Sequence, residues 1–113
     1  MGHSMIDWDR VDDLREEIGE EDFGEVVELF LEEVEEVVER LTNAPVVSAL
    51  EEDMHFLKGS ALNLGFASFA SLCEKGEAAA REGQGDTIDL PTVISAFQTT
   101  KGEFLANGTH RPA

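Results

Sequence analysis

The sequence predicts an all-α fold, an antiparallel four-helix bundle with a short additional helix at its N-terminal end. Three observations lead there. Helix formers such as Glu, Leu and Ala dominate, while Tyr is absent and Pro occurs three times. Apolar residues recur at i, i+3, i+4 and i+7 in successive segments. Gly, Asn and Pro stand between those segments, where helices stop. A chain of 113 residues with 42% hydrophobic content fits one domain and can bury a core.

The first helix is expected over residues 7–18, with Trp8, Val11, Leu14 and Ile18 at helical spacing and Gly19 as its stop. The second has the clearest pattern. Phe23, Val26, Val27, Phe30, Val34, Val37, Val38 and Leu41 form its apolar stripe, and Glu25, Glu28, Glu32, Glu35, Glu36 and Glu39 fill the other faces. Its acidic start suits the helix dipole, and Asn43-Ala44-Pro45 ends it. The third is expected over residues 47–64, with Val47, Leu50, Met54, Leu57, Ala61 and Leu64 facing inward and Gly65 as C-cap.

The fourth covers residues 67–82, with Phe69, Ala70, Cys73, Glu77 and Ala80 along one side, and ends at Gly83-Gln84-Gly85. The fifth begins near Asp89, with Pro91 in its first turn, and is expected to bury Val93, Ile94, Phe97, Phe104 and Leu105. Residues 5–108 therefore form the domain. Residues 1–4, ahead of a second methionine, read as a cloning remnant, which removes His3 from functional reasoning. Residues 109–113 read as a loose tail.

A formal net charge of -17 excludes nucleic acid and anionic membranes as natural partners and favours a protein with a basic docking rim. Most of these carboxylates serve solubility. Cys73 is the single cysteine, so neither an intrachain disulfide nor a cysteine-based zinc site is expected, and a buried structural thiol fits its apolar setting. No stretch is long and apolar enough to span a bilayer, and no leader precedes the acidic start, so a cytoplasmic location is expected. A monomer is expected as well.

The chemistry gathers in His55-Phe56-Leu57-Lys58-Gly59-Ser60-Ala61-Leu62-Asn63-Leu64-Gly65. With Met54, Leu57, Ala61 and Leu64 turned inward, His55 emerges at the flank of the third helix, half exposed, with Lys58 and Gly59 as its neighbours one turn on. A neutral imidazole nitrogen within reach of a partner is a nucleophile suited to carrying a phosphoryl group. Gly59 in mid-helix costs about 1 kcal/mol relative to Ala. The missing side chain opens space beside His55, and the Lys58 ammonium offsets phosphate charge.

The stretch resembles the H-x-L-K-G-S-[SA]-x-x-L-G motif of histidine phosphotransfer (HPt) domains of two-component phosphorelays. Leu72-Cys73-Glu74-Lys75-Gly76-Glu77 resembles the L-C-E-x-x-[EQ] segment of the next helix in that family. The helix order matches over nearly the whole chain after Met5. Two departures are mild: Ala61 stands where many members have a second serine, and Gly76 sits inside a helix. The resemblance implies that His55 is the phosphoacceptor, on Nε2, with Lys58, Gly59 and Glu77 supporting the phosphate site. Glu77 would accept a hydrogen bond from Nδ1, though a carboxylate there would also repel a phosphoryl group. Leu62 and Phe66 would contribute to an apolar docking patch for a receiver domain, although by position either could instead be core at the end of the turn.

The partners implied are response-regulator receiver domains, with a hybrid sensor kinase as a further candidate. The Mg²⁺ of the reaction would belong to the receiver, and this chain would need no cofactor or metal of its own. No glycine-rich nucleotide motif of the kinase type is present, so a phosphoryl carrier rather than an enzyme is expected. Two other readings stay open. The domain could bind a receiver or kinase without accepting phosphate. Alternatively, Glu52 and His55 form half of a di-metal carboxylate motif, but His3 and His110, at the termini, do not supply the other half. By spacing alone His55 could equally be a surface histidine without a task, Lys58 could pair with any nearby acid, and Ser60 reads as a small packing residue.

Overall fold

In the computed structural model, residues 5–107 are described, and they form five α-helices and no strand. The helices are α1 (Trp8–Ile18), α2 (Glu20–Asn43), α3 (Leu50–Leu64), α4 (Ala67–Arg81) and α5 (Leu90–Asn107). Single 3-10 turns at Val47–Ala49 and Gly85–Thr87 lie in two of the connections. Residues 1–4 with His3, and the tail with His110, lie outside the described residues.

Helix boundaries follow local chemistry. Asp7 caps α1 by accepting the Arg10 N–H at 3.2 Å. Gly19, at φ 100°, then turns the chain directly into α2. That helix starts with Glu20, Glu21 and Asp22 in its first turn, where negative charge meets the dipole. Asp89 caps α5 by accepting from the Thr92 N–H at 3.2 Å and the Thr92 hydroxyl at 2.7 Å.

The α3–α4 hairpin is closed by Gly65 at φ 79°. The Gly65 N–H donates to Leu62 O at 3.3 Å and the Phe66 N–H to Ala61 O at 2.8 Å, the two bonds of a Schellman cap. The N-terminal segment ties onto this cap. The Asp7 N–H donates to Gly65 O at 2.7 Å, and the Ser68 N–H to Met5 O at 3.2 Å. A Cβ on Gly65 would lie 2.7 Å from Asp7 O, so the same glycine serves the cap and the close approach of α1.

Contacts between consecutive helices join the end of one to the start of its neighbour. Arg40 near the end of α2 meets Asp53 near the start of α3, and Glu51 early in α3 meets Arg81 at the end of α4. Phe66, preceding α4, packs on Phe104 late in α5, while Glu35 of α2 pairs with Lys101 of α5. The shared core is built on Val27, Leu31, Val34, Val38, Leu50, Met54, Leu57, Ala61, Leu64 and a group of phenylalanines. Phe69 meets Phe97 with its ring tilted, Phe66 contacts Phe97 and Phe104, and Trp8 lies parallel to Phe104.

Four expectations about burial need correction. Val47 is exposed, because the chain after Pro45 runs extended and then makes a 3-10 turn, so the inward stripe of α3 begins at Leu50. In α2 the buried line is Phe23, Val27, Leu31, Val34, Val38 and Leu41, leaving Val26, Phe30 and Val37 at its border. Leu105 turns to solvent, one step round α5 from Phe104, and the buried place a turn earlier is taken by Thr100. Phe66 is 1% exposed and belongs to the aromatic core, not to a docking surface. It is the residue after the Gly65 cap, a position whose hydrophobic side chain normally folds back on the preceding helix.

Candidate functional site

The α3–α4 hairpin brings His55 and Lys58 of α3 against Glu77 and Arg81 of α4. Each pair is one helical turn apart, so both members project toward the same seam. Glu77 is the hub. Its side chain is only 7% exposed, and it is held from three sides. Oε1 lies 2.7 Å from Lys58 Nζ. Oε2 lies 2.9 Å from His55 Nδ1 and accepts from Arg81 Nη2, also at 2.9 Å. The Arg81 Nε–H donates to Glu51 Oε2 at 3.2 Å, so the guanidinium bridges two carboxylates.

These contacts determine protonation. The Lys58 hydrogen bond holds the Glu77 carboxyl below the usual carboxylate range; the His55 hydrogen bond acts in the same direction, and burial opposes both. An ionised carboxylate only accepts, so Nδ1 of His55 carries the proton that it donates to Glu77. In the neutral ring this leaves the lone pair on Nε2. The imidazole itself is 70% exposed, more open than the half-exposed position expected from helix phase, and is tethered at the Nδ1 edge.

The two glycines within α3 and α4 have different causes. A Cβ on Gly59 would meet nothing within 4 Å, so no interior contact requires glycine there; its absence keeps the surface beside His55 low. A Cβ on Gly76 would lie 2.9 Å from Met54 Sδ, so glycine lets α4 close onto α3 directly beneath the site. Ser60 is buried between helices, in keeping with a small packing residue. Leu62, one turn beyond Gly59, is 56% exposed, and Phe56 beside His55 is also exposed.

His55, Lys58, Gly59 and Glu77 thus come together, with Leu62 on the same open face and Phe66 outside it. Sequence reasoning missed Arg81 and Glu51. Both had a detectable signal, since Arg81 stands four residues after Glu77 and Glu51 four before His55, the spacing of neighbours on one helical face. It also missed the Arg40–Asp53 pair, two hydrogen bonds of 2.8 Å that join α2 to α3 two residues before His55. Among the described residues, no group of three or more His, Cys, Asp or Glu side chains is arranged to hold a metal ion, and Glu52 is not joined to His55 by any such cluster. Nor is any helix among them long and apolar enough to cross a membrane.

Comparison with protein families matches residues 25–100 to the Hpt domain. Comparison with curated proteins and with solved structures gives no match.

Proposed function

The chain belongs to the Hpt domain family, a histidine phosphotransfer module of two-component phosphorelays, and from that premise we propose that His55 accepts a phosphoryl group from a receiver-domain phospho-aspartate and passes it to a receiver-domain aspartate. The observation that carries the proposal is the 2.9 Å contact between His55 Nδ1 and a buried, ionised Glu77 under an open imidazole.

In the forward step the Nε2 lone pair forms an N–P bond while the acyl-phosphate P–O bond breaks, leaving the electron pair on the receiver's aspartate. The ring becomes cationic and keeps its Nδ1 proton, now in a stronger, charge-assisted hydrogen bond to Glu77. No proton need be moved, so the reverse step, attack of a receiver aspartate on the phosphohistidine with the electron pair returning to Nε2, needs none either. Lys58, already at the seam, is within one helical turn of the new phosphoryl group and offsets its charge.

Gly59 and Leu62 give the partner a low, partly apolar landing surface, and the -17 charge of the chain selects a receiver with a basic rim. Mg²⁺ and the acidic pocket come with the receiver; a hybrid sensor kinase carrying such a domain is a second donor class. The domain acts as a monomeric carrier in the cytosol, without kinase activity of its own.

Incubation with a radiolabelled phospho-receiver tests this. Acid-labile label is expected on the wild type and absent from His55→Gln. Binding of the receiver with no transfer of label would leave a pure docking module and remove the relay.

A further inference from the structure

A carboxylate beneath the phosphoacceptor poses an electrostatic problem. It is the best acceptor for Nδ1–H, yet it places a full negative charge one imidazole away from a phosphoryl group that is itself anionic. Lys58 answers only part of it, because its ammonium binds Oε1. The remaining oxygen, Oε2, is the one that faces His55 Nδ1, and it is also the one capped by Arg81 Nη2. Charges in the cluster then balance, Lys58 and Arg81 against Glu77 and Glu51.

We propose that Arg81 is a positioning residue for phosphotransfer: it fixes Glu77 Oε2 under Nδ1 and neutralises that oxygen, so that an acid can orient the imidazole without repelling the incoming phosphate. The inference rests on His55 being the phosphoacceptor. Glu51 holds the guanidinium in place through Nε, which leaves Nη2 aimed at Glu77 although the Arg81 side chain is 60% exposed. A guanidinium suits the task because its planar fork can bridge two carboxylates at once.

Phosphoramidate tests the idea without any protein partner. In that reaction the Nε2–P bond forms, the donor P–N bond breaks, and ammonia leaves. Label is counted on the His55 peptide, with His55→Gln as the blank, in wild type, Arg81→Gln, Arg81→Lys, Glu77→Gln and the Arg81→Gln/Glu77→Gln pair. Arg81→Gln is expected to label about three- to tenfold more slowly than wild type, with the deficit narrowing at high salt. Arg81→Lys should recover only part of the rate, because an ammonium keeps the charge but cannot bridge Glu77 and Glu51 together. In the Glu77→Gln background, where no charge needs neutralising, Arg81→Gln should change little.

With a saturating phospho-receiver the same deficit should appear in kcat rather than KM. Equal rates for wild type and Arg81→Gln, or equal deficits in both Glu77 backgrounds, overturn the proposal, as does a defect confined to KM. Normal phosphoramidate labelling of His55 with no transfer from any receiver would instead sink the relay reading and leave this inference standing.

Discussion

Lys58 Nζ lies 2.7 Å from Glu77 Oε1, so the ammonium expected to serve the phosphate is bound, before any phosphate arrives, to the carboxylate that orients His55. The same contact is the first cause of the lowered Glu77 pKa. A folded value below the unfolded one means that the stabilisation is fully present above about pH 4.3 and is lost as pH falls through the folded value. Lys58→Ala is expected to raise the Glu77 midpoint and to flatten the acid limb of stability below about pH 5. Carboxyl-detected NMR titration of Glu77, with acid unfolding followed by circular dichroism, checks both. An unmoved midpoint in Lys58→Ala would contradict the pairing.

Gly59 and Gly76 predict opposite outcomes for one substitution. Gly59→Ala adds a methyl group to open surface and gains helix propensity, so it should stabilise the fold by about 1 kcal/mol while slowing transfer from a receiver that must approach His55. Gly76→Ala gains the same propensity but places its Cβ 2.9 Å from Sδ of a fully buried Met54. Overpacking of about 1–3 kcal/mol outweighs the gain, and net destabilisation follows. Urea unfolding of the two variants decides. A stabilised Gly76→Ala would show that Met54 repacks freely.

The Arg40–Asp53 pair joins α2 to the helix that carries His55. Nη1 of Arg40 donates to Asp53 Oδ2 and Nη2 to Oδ1, each at 2.8 Å, and Asp53 is buried while Arg40 remains partly hydrated. Removing the cation leaves a buried acceptor without its donor, so Arg40→Ala should cost roughly 1–2 kcal/mol. Replacing both partners, as Arg40→Met with Asp53→Leu, should recover much of that loss. A double-mutant cycle in thermal unfolding measures the coupling, and additivity would mean the pair contributes nothing.

Helix order was legible from helical periodicity, whereas the His55, Lys58 and Glu77 constellation was legible only through the motif that carries the family resemblance, with periodicity placing Glu77 on the same side of α4 as Phe69 and Cys73. What periodicity cannot supply is the end of a stripe. Val47 and Leu105 are apolar and near the right phase, yet one follows a proline-directed turn and the other sits a step outside the core. The Arg40–Asp53 pair was invisible for a related reason. It joins two helices whose relative rotation is set by core packing, whereas Arg81 with Glu77 is a local i, i+4 pair that spacing alone could have found.

The fate of Phe66 separates docking from stability. Leu62 and Phe66 looked equivalent as apolar residues near the Gly65 cap, but the cap sends Phe66 inward among Phe97 and Phe104 while Leu62 stays at the surface. Phe66→Ala should therefore destabilise the fold by about 3–5 kcal/mol, with receiver affinity unchanged in the fraction that remains folded. Leu62→Ala should leave stability within about 0.5 kcal/mol of wild type and weaken receiver binding. Titration calorimetry with a receiver, run beside urea unfolding, separates the two effects. Unchanged affinity in Leu62→Ala would move the apolar docking contact elsewhere on this face, with exposed Phe56 as the next side chain to replace.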